Sequence, residues 1–484
     1  MAHHSYDLLS VESVSDGARP YRATGTLADQ AVDPCDKWPA AMWVAGTLAR
    51  LRRGRKLKLV GVEFDVDTDA MIMTCRATGP LGRLVQRELD KLAARLASCE
   101  RPFAVREDAL VYNLYQPPVP SLRFINSMSR IVMQSRRPVK PTTCTLQITA
   151  RCQLNCYHCS AARYRTPMRE ELSTDELKDL IRQAEDLGVF NIVFTGGEPL
   201  LRKDLCELIS FVNRDRAHAS IFTNGLLLTP ENAAKLADAG LYSAMVSIDD
   251  PRPEVHEGLR CILGGFNKSV EGVRNLRDAG VLVGVSSYAG PEDLREGRVE
   301  AMIELARDIG AHEITIFDIV PTGKLLPLQA DQILSDGDKE RIIEIERHYN
   351  SLEDYPHVVT QAFVNGPRGA GCFAGFTQFY MTAYGDIDPC DFTPLTFGNV
   401  RDEPLADIWA RMLAHPAYQH RCDHCRMQDA EFRASYIDDI PDDVLLPWPA
   451  YDELRDRPNG PPQMTLQEAR TPGLVGRSAR RASS

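Results

Sequence analysis

The chain lacks the features that mark several broad protein classes. No apolar run approaches the length of a membrane-spanning helix. Its opening residues, MAHHSYDLLS, do not have the charged-then-apolar layout of a secretion signal. Basic residues are not in excess: 56 Lys and Arg face 67 Asp and Glu, a formal charge of −11. That balance excludes a whole-chain electrostatic grip on nucleic acid or anionic lipid, with residues 50–58 as a local basic exception. The expectation is a soluble, cytoplasmic protein with no membrane span and no nucleic-acid partner. With 44% apolar and 25% charged residues, the chain is neither disordered throughout nor fibrous. Its 484 residues suggest two or three domains.

A disulfide framework is also excluded, because 13 cysteines in a long chain without a leader do not pair off. Seven fall into two groupings: Cys152, Cys156 and Cys159, then Cys372, Cys390, Cys422 and Cys425. Cys35, Cys75, Cys99, Cys144, Cys206 and Cys261 are scattered singly and read as small buried apolar residues.

Patterning divides the chain. Residues 1–141 read as a small α+β domain of unassigned role. It has helical stretches at 38–53 and 81–99, two alternating strands at 57–65 and 70–78, and a proline-rich connector at 116–120. From residue 143, strand-like runs at 145–149, 191–195, 219–223, 243–248, 281–287 and 313–319 alternate with amphipathic helices. Ser173 and Glu176 offer a capping box to one of these, and glycines sit where several should stop. Six such units imply a parallel sheet curling toward a barrel, with chemistry at the carboxyl ends of its strands. This barrel is expected over residues 142–349, a loop-rich cysteine domain over 350–440, and an extended, disordered tail over 441–484.

Cys152, Cys156 and Cys159 stand just past the first barrel strand, in CQLNCYHC. Three thiolates on a short loop suit a four-iron cluster with one iron left open. Structural zinc prefers four ligands at other spacings, and His158 would have to fold back to supply the fourth. One strand later comes Thr195-Gly196-Gly197-Glu198-Pro199, where two glycines admit a close approach and Glu198 can pair with an ammonium group.

Together the CX3CX2C loop and the Gly-Gly-Glu-Pro turn resemble the radical S-adenosylmethionine (radical SAM) superfamily. The resemblance implies a partial (β/α)6 TIM-like barrel. It implies that Cys152, Cys156 and Cys159 hold a [4Fe-4S] cluster whose open iron binds the methionyl group of S-adenosylmethionine. Gly196, Gly197 and Glu198 would then face the methionyl amine, and His158, in place of the usual aromatic residue, would border the adenine. Asn224 lies in a strand-end turn similar to the family's. Ser247 and Asp249 are placed to reach the ribose or carboxylate, and Arg260 resembles an arginine that pairs with the methionyl carboxylate. For Ser247 and Asp249, capping the next turn is the competing role.

The second grouping, with a CX2C pair at Cys422 and Cys425, would saturate one metal site, either structural zinc or iron–sulfur. It resembles the SPASM or twitch extensions of radical SAM enzymes. No cysteine follows Cys425, so it is similar to the twitch form, with one fully ligated auxiliary [4Fe-4S] cluster. Asp391, next to Cys390, stands where some relatives carry a base.

The implied protein is an enzyme that cleaves S-adenosylmethionine to a 5′-deoxyadenosyl radical and takes a hydrogen atom from an unactivated carbon. Its substrate would be a peptide or small molecule, the auxiliary cluster an electron relay, and its reductant a donor such as flavodoxin or ferredoxin. The alternative is a non-catalytic metal-binding scaffold or sensor with structural zinc or iron sites. Such a protein has no need of the Gly196-Gly197-Glu198 turn.

Overall fold

The computed structural model describes residues 2–6, 61–78, 86, 101–121, 123–124 and 139–470 apart from 167, 329 and 463. The expected helix at 38–53 lies outside the described residues, as does the one at 81–99 apart from Gln86, which is helical. The chain divides into two units: Met1–Tyr112 with Pro118–Arg137, and Asn113–Pro117 with Pro138–Ser484.

In the first unit the expected hairpin is present. Gly61–Asp67 pairs antiparallel with Ile72–Thr78, and Ala2–Tyr6 adds a third strand. A second hairpin joins Ala104–Arg106 to Ala109–Val111.

The second unit is built on a nine-stranded sheet. Its strands are β1 (Thr143–Gln147), β2 (Asn191–Thr195), β3 (His218–Thr223), β4 (Ser243–Ser247), β5 (Leu282–Ala289), β6 (Glu313–Asp318), β7 (His357–Thr360), β8 (Gln378–Met381) and β9 (Ile387–Asp388). The spatial order is β7-β6-β5-β4-β3-β2-β1-β8-β9, parallel throughout except for β9. The ladder is open, as a partial barrel requires. The intervening helices include α1 (Thr174–Leu187), α2 (Leu205–Phe211), α3 (Pro230–Ala239), α4 (Pro253–Arg260), α5 (Gly265–Asp278), α6 (Arg298–Asp308) and α7 (Asp336–Asn350).

Sequence chemistry explains these limits. Ser173 and Glu176 form the reciprocal capping box that starts α1, and Gly188 ends it at φ +113°. Leu177, Leu180, Ile181 and Ala184 form its buried stripe, so tertiary packing carries the helix. β2, β3, β4 and β6 each bury their first four residues, as expected of parallel strands covered by helices.

Two expectations need correcting. The sheet is larger than six βα units: β7 pairs with β6, and β8 pairs with β1 from within the cysteine-rich segment. Residue 350 is therefore no clean boundary. Residues 441–470 do not run extended either. Trp448–Pro449 pairs with Leu395–Thr396, and Arg163 donates to the carbonyls of Pro441 and Val444. Leu445, Leu446 and Leu454 are buried anchors too irregularly spaced to show periodicity.

The amino-terminal end of the barrel is plugged by Asn113–Pro117. Leu114 is buried, its N–H donates to Glu313 Oε2 (3.0 Å) and its carbonyl accepts from Ser243 Oγ (3.3 Å). The Tyr115 hydroxyl bonds Thr315 Oγ1 at 3.0 Å. The opposite end is left for chemistry.

Candidate active site

At the carboxyl ends of β2 to β6 the fifth strand residue is only half-buried: Thr195, Phe222, Ser247, Ser286 and Phe317. These residues open the barrel mouth, where parallel-barrel enzymes keep their active sites. Phe222 meets Phe317 across the mouth (ring centroids 6.3 Å), and Phe317 meets Phe392 from the cysteine-rich segment (6.1 Å).

The loop after β1 carries the first cysteines. Arg151, Gln153, Asn155 and Tyr157 are exposed, while Cys152, Cys156 and Cys159 are half-buried. Burial raises the Cys156 thiol to about 11 and the Cys152 thiol upward, and both feel Cys159, which places the three thiols in one neighbourhood. Arg165 Nη2 lies 3.7 Å from Cys159 Sγ. Lys324 ties the loop down by donating to Asn155 Oδ1 (2.7 Å) and the Cys156 carbonyl (2.7 Å). Lys324 carries no sequence signal for this role, because it lies 168 residues from Cys156.

The glycines of the next turn are required by that loop. A Cβ on Gly197 would stand 2.2 Å from the Arg151 carbonyl oxygen, and one on Gly196 would stand 2.6 Å from that of Thr149. The turn is stitched to the loop by Gly197 N to Thr149 O (2.7 Å) and Glu198 N to Arg151 O (2.8 Å). Glu198 is fully buried. Its carboxylate accepts from Leu200 N (3.1 Å), Thr223 Oγ1 (2.8 Å) and Asn224 N (2.8 Å), so the chain's own donors hold it. Burial raises its pKa to about 7 against those bonds. Asn224 accepts from Gln153 Nε2, and its own Nδ2 is buried without a partner.

Asp249 and Arg260 are joined to each other. The guanidinium grips the carboxylate in bidentate fashion at 2.7 and 2.8 Å, with both groups buried. Burial alone would raise the Asp249 pKa, but Arg260 outweighs it and holds the carboxyl well below its usual range. Arg298 donates to the Asp249 carbonyl and His256 Nδ1 accepts the Asp249 N–H. His158 Nε2 lies 3.5 Å from Asp249 Oδ2, and its ring packs on Tyr288 with centroids 4.6 Å apart. Burial keeps His158 below its ordinary pKa, and its Nδ1 is buried without a partner. Tyr288 and Arg298 lie on later units with no motif of their own, so sequence reading missed them.

Breaking this pair should be costly. Asp249→Ala strands a buried guanidinium and is expected to lower unfolding stability by about 3–5 kcal/mol, read from denaturant unfolding. A native pKa held below the unfolded value means the contribution is present above the ordinary aspartate range. It is lost as pH falls below that range toward the lower native value, so the gap between wild type and variant should shrink in strong acid. An unchanged gap at low pH would contradict the pairing.

The second grouping also converges. Cys372 N donates to the Cys422 carbonyl (2.7 Å), joining two distant segments. The Cys425 thiol feels Cys372 and Cys390, and the Cys422 thiol feels Cys372. Cys372 and Cys425 are buried, and burial lifts the Cys390 thiol to about 12. Cys422 Sγ is 3.5 Å from His424 Nε2, and His424 also contacts Asp423 and Asp429. Asp391 is half-buried with Oδ1 unpartnered, and burial raises its pKa to about 7. Of the scattered cysteines, Cys144 is buried as expected, but Cys206 is half-buried and Cys261 is exposed. Nothing is described of the side chains of Cys35, Cys75 and Cys99.

Both groupings fall within segments that match known families. Residues 146–317 match the Radical SAM superfamily model, and residues 372–426 match SPASM, an iron–sulfur cluster-binding domain. The AdoMet-dependent heme synthase of Nitratidesulfovibrio vulgaris is 31% identical over 294 residues, covering 56% of this chain and 79% of that protein. The PqqA peptide cyclase of Rhizobium meliloti is 27% identical over 314 residues, covering 61% and 82%. The structure of Streptococcus suis SuiB bound to precursor peptide SuiA aligns over 74% of this chain and 86% of that one, at 14% identity and a TM-score of 0.48.

The chain belongs to the radical SAM superfamily. It is a radical SAM enzyme with a SPASM domain, whose cofactors are S-adenosylmethionine, a [4Fe-4S] cluster and auxiliary iron–sulfur chemistry. The donor sets fit these groups: three neighbouring thiols at the barrel mouth and four at the second site. Among the described residues, no helix is long and apolar enough to cross a membrane.

Proposed function

We propose that this enzyme cleaves S-adenosylmethionine at a cluster held by Cys152, Cys156 and Cys159, and removes a hydrogen atom from a carbon of a peptide or small-molecule substrate. The observation that carries the reading is the stitching of Gly196-Gly197-Glu198 to the cysteine loop at the carboxyl end of the barrel. When bound, the reduced cluster supplies the electron that splits the cofactor to methionine and a 5′-deoxyadenosyl radical.

The protein's own part is orientation and exclusion of water. Ser247, the orphan amide of Asn224 and His158 Nδ1 offer polar contacts at the mouth. Glu198 fixes the turn that presents the glycine backbone. The Asp249–Arg260 pair acts from behind by holding His158 in place. Phe222, Phe317 and Phe392 form an apolar wall against the substrate. Relatives named for heme synthesis and for peptide cyclisation make tetrapyrrole-like molecules and peptides the substrate classes to try first. A one-electron donor such as flavodoxin or ferredoxin supplies the reducing electron.

Cys372, Cys390, Cys422 and Cys425 would hold an auxiliary cluster, and Asp391 beside Cys390 places a proton acceptor next to an electron acceptor. The test is anaerobic: dithionite-reduced protein with S-adenosylmethionine should release 5′-deoxyadenosine and contain about eight irons per chain. Cys425→Ala should retain that release while iron falls to about four. Colourless wild type that releases no 5′-deoxyadenosine would overturn the function. Joint loss of release and of all iron in the variant would overturn the separate role of the second site.

A further inference from the structure

The stretch between β1 and the first cysteines is held by a residue that belongs to neither motif. Ile148 N still donates to the Thr195 carbonyl (2.9 Å), and past that point the strand ladder ends. A backbone N–H beyond a strand end needs another acceptor. Glu171, half-buried, supplies it: its Oε1 accepts from Ala150 N (2.8 Å) and from Thr149 Oγ1 (3.0 Å). Thr149 Oγ1 in turn accepts from Arg151 N (3.2 Å), and the Thr149 carbonyl receives Gly197 N (2.7 Å). Ala150 stands two residues before Cys152. One carboxylate oxygen therefore fixes the two residues from which both the glycine turn and the cysteine loop hang.

Glu171 is itself gripped by the cysteine-rich segment. Arg401 donates to the carbonyls of Glu170 (3.0 Å) and Glu171 (3.3 Å), and closes in bidentate fashion on Glu176 (2.6 and 3.1 Å). Arg169 makes a second bidentate pair with the buried Asp386 (2.6 and 2.9 Å), which also accepts from Asn399 Nδ2 (3.0 Å). Two parallel bonds to a carboxylate fix orientation as well as distance. The Tyr384 hydroxyl accepts from Thr166 N (3.0 Å) and donates to the Thr166 carbonyl (2.9 Å). Ala383 and Tyr384 pack on Ala150 in a small apolar cluster of their own, and Ala383 N donates to Gln147 Oε1 (2.9 Å). Ala383, Tyr384 and Asp386 lie in the turn between β8 and β9, just ahead of Cys390. None of these contacts uses a cysteine, so the grip does not depend on iron at the second site.

We propose that Glu171 is a positioning residue for the first cluster and its S-adenosylmethionine, held in register by the cysteine-rich segment through Arg401 and Asp386. The inference rests on the functional reading above and gives the polypeptide of the second domain, apart from its cluster, a part in the first site. Glu171 acts through Thr149 and Ala150 rather than on the cofactor. Both of its donors are neutral, so the role asks for an acceptor oxygen and not for a charge. Glutamine can place the same oxygen there. Alanine leaves the Ala150 N–H unpaired and frees the strand end to shift. Such a shift reaches Cys152 within two residues and Gly197 through one hydrogen bond. Small displacements of a positioned reactant are costly to binding and chemistry alike.

The test uses the iron-loaded full chain. Equilibrium dialysis reads S-adenosylmethionine affinity. The change that S-adenosylmethionine causes in the electron paramagnetic resonance spectrum of dithionite-reduced protein reads the first cluster. Glu171→Ala is expected to weaken binding by about tenfold and to diminish that spectral change, while Glu171→Gln stays within about twofold of wild type. Arg401→Gln should weaken binding by about threefold, and adding it to Glu171→Ala should cost nothing more, because both act on one contact. A merely structural role predicts lower unfolding stability with unchanged affinity in the iron-replete protein. Wild-type affinity in iron-replete Glu171→Ala, or an equal loss in Glu171→Gln, would overturn the positioning role. If Glu171→Ala does not load iron, wild-type affinity in Arg401→Gln overturns the proposal instead. Additive losses in the double variant would overturn the mounting on the cysteine-rich segment. Iron-loaded wild type that neither binds S-adenosylmethionine nor changes its spectrum would overturn the functional reading and this inference with it.

Discussion

Cys156→Ala is expected to abolish release of 5′-deoxyadenosine while leaving the barrel folded. The residue sits mid-loop, half-buried, and its thiol is in reach of Cys159, Cys152 and Arg260. Two remaining thiols cannot hold a four-iron core that leaves only one iron open, so iron should fall from about eight to about four per chain. The fold should survive, because the loop is anchored elsewhere: by Lys324 on Cys156's own carbonyl, and by Tyr157 N on Leu259. Far-ultraviolet circular dichroism and thermal unfolding check the fold, iron analysis checks the loading, and chromatography of reduced incubations checks the release. Retained release would remove this loop from the chemistry.

Gly197→Ala should reach nearly the same endpoint without touching a thiol. The added methyl would stand 2.2 Å from the Arg151 carbonyl oxygen and 2.5 Å from its carbon, and both belong to rigid backbone. One side must move by about an ångström, which costs about 1–3 kcal/mol. Movement breaks the bonds from Gly197 N to Thr149 O and from Glu198 N to Arg151 O. Arg151 directly precedes Cys152, so the displacement passes straight into the cysteine loop. The expected result is loss of about half the iron, with the remaining protein still cooperative in unfolding. Full iron content and unaltered S-adenosylmethionine binding by equilibrium dialysis would show that the turn tolerates the methyl and that its glycines serve another purpose.

These two variants separate what sequence shows from what only the fold shows. The cysteines and the glycine turn are local strings, and their chemistry is legible in spacing. The Ser173–Glu176 capping box and the six main strands are legible for the same reason: a short-range pattern sets each one. The reason Gly197 must be glycine is long-range, because the obstructing oxygen belongs to Arg151 on the neighbouring strand's loop. Lys324, Tyr288 and Arg298 act through tertiary approach and leave no pattern in sequence. Arg260 shows the converse. A sequence match suggests a cofactor-binding arginine, while the structure closes it on Asp249. The strands His357–Thr360 and Gln378–Met381 escape notice because four residues are too few to establish alternation.

The segment Asn113–Pro117 affects how this protein can be shortened. Both chain neighbours of this segment belong to the first unit, yet the segment itself belongs with the barrel. Leu114 and Tyr115 satisfy Glu313, Ser243 and Thr315 at the closed end. A recombinant fragment begun at the first barrel strand, where motif boundaries invite the cut, would leave the Glu313 carboxylate without the Leu114 N–H and uncover the buried Ser243 and Thr315 hydroxyls. A minimal catalytic fragment therefore has to start upstream of Asn113 or carry those five residues back as a separate peptide.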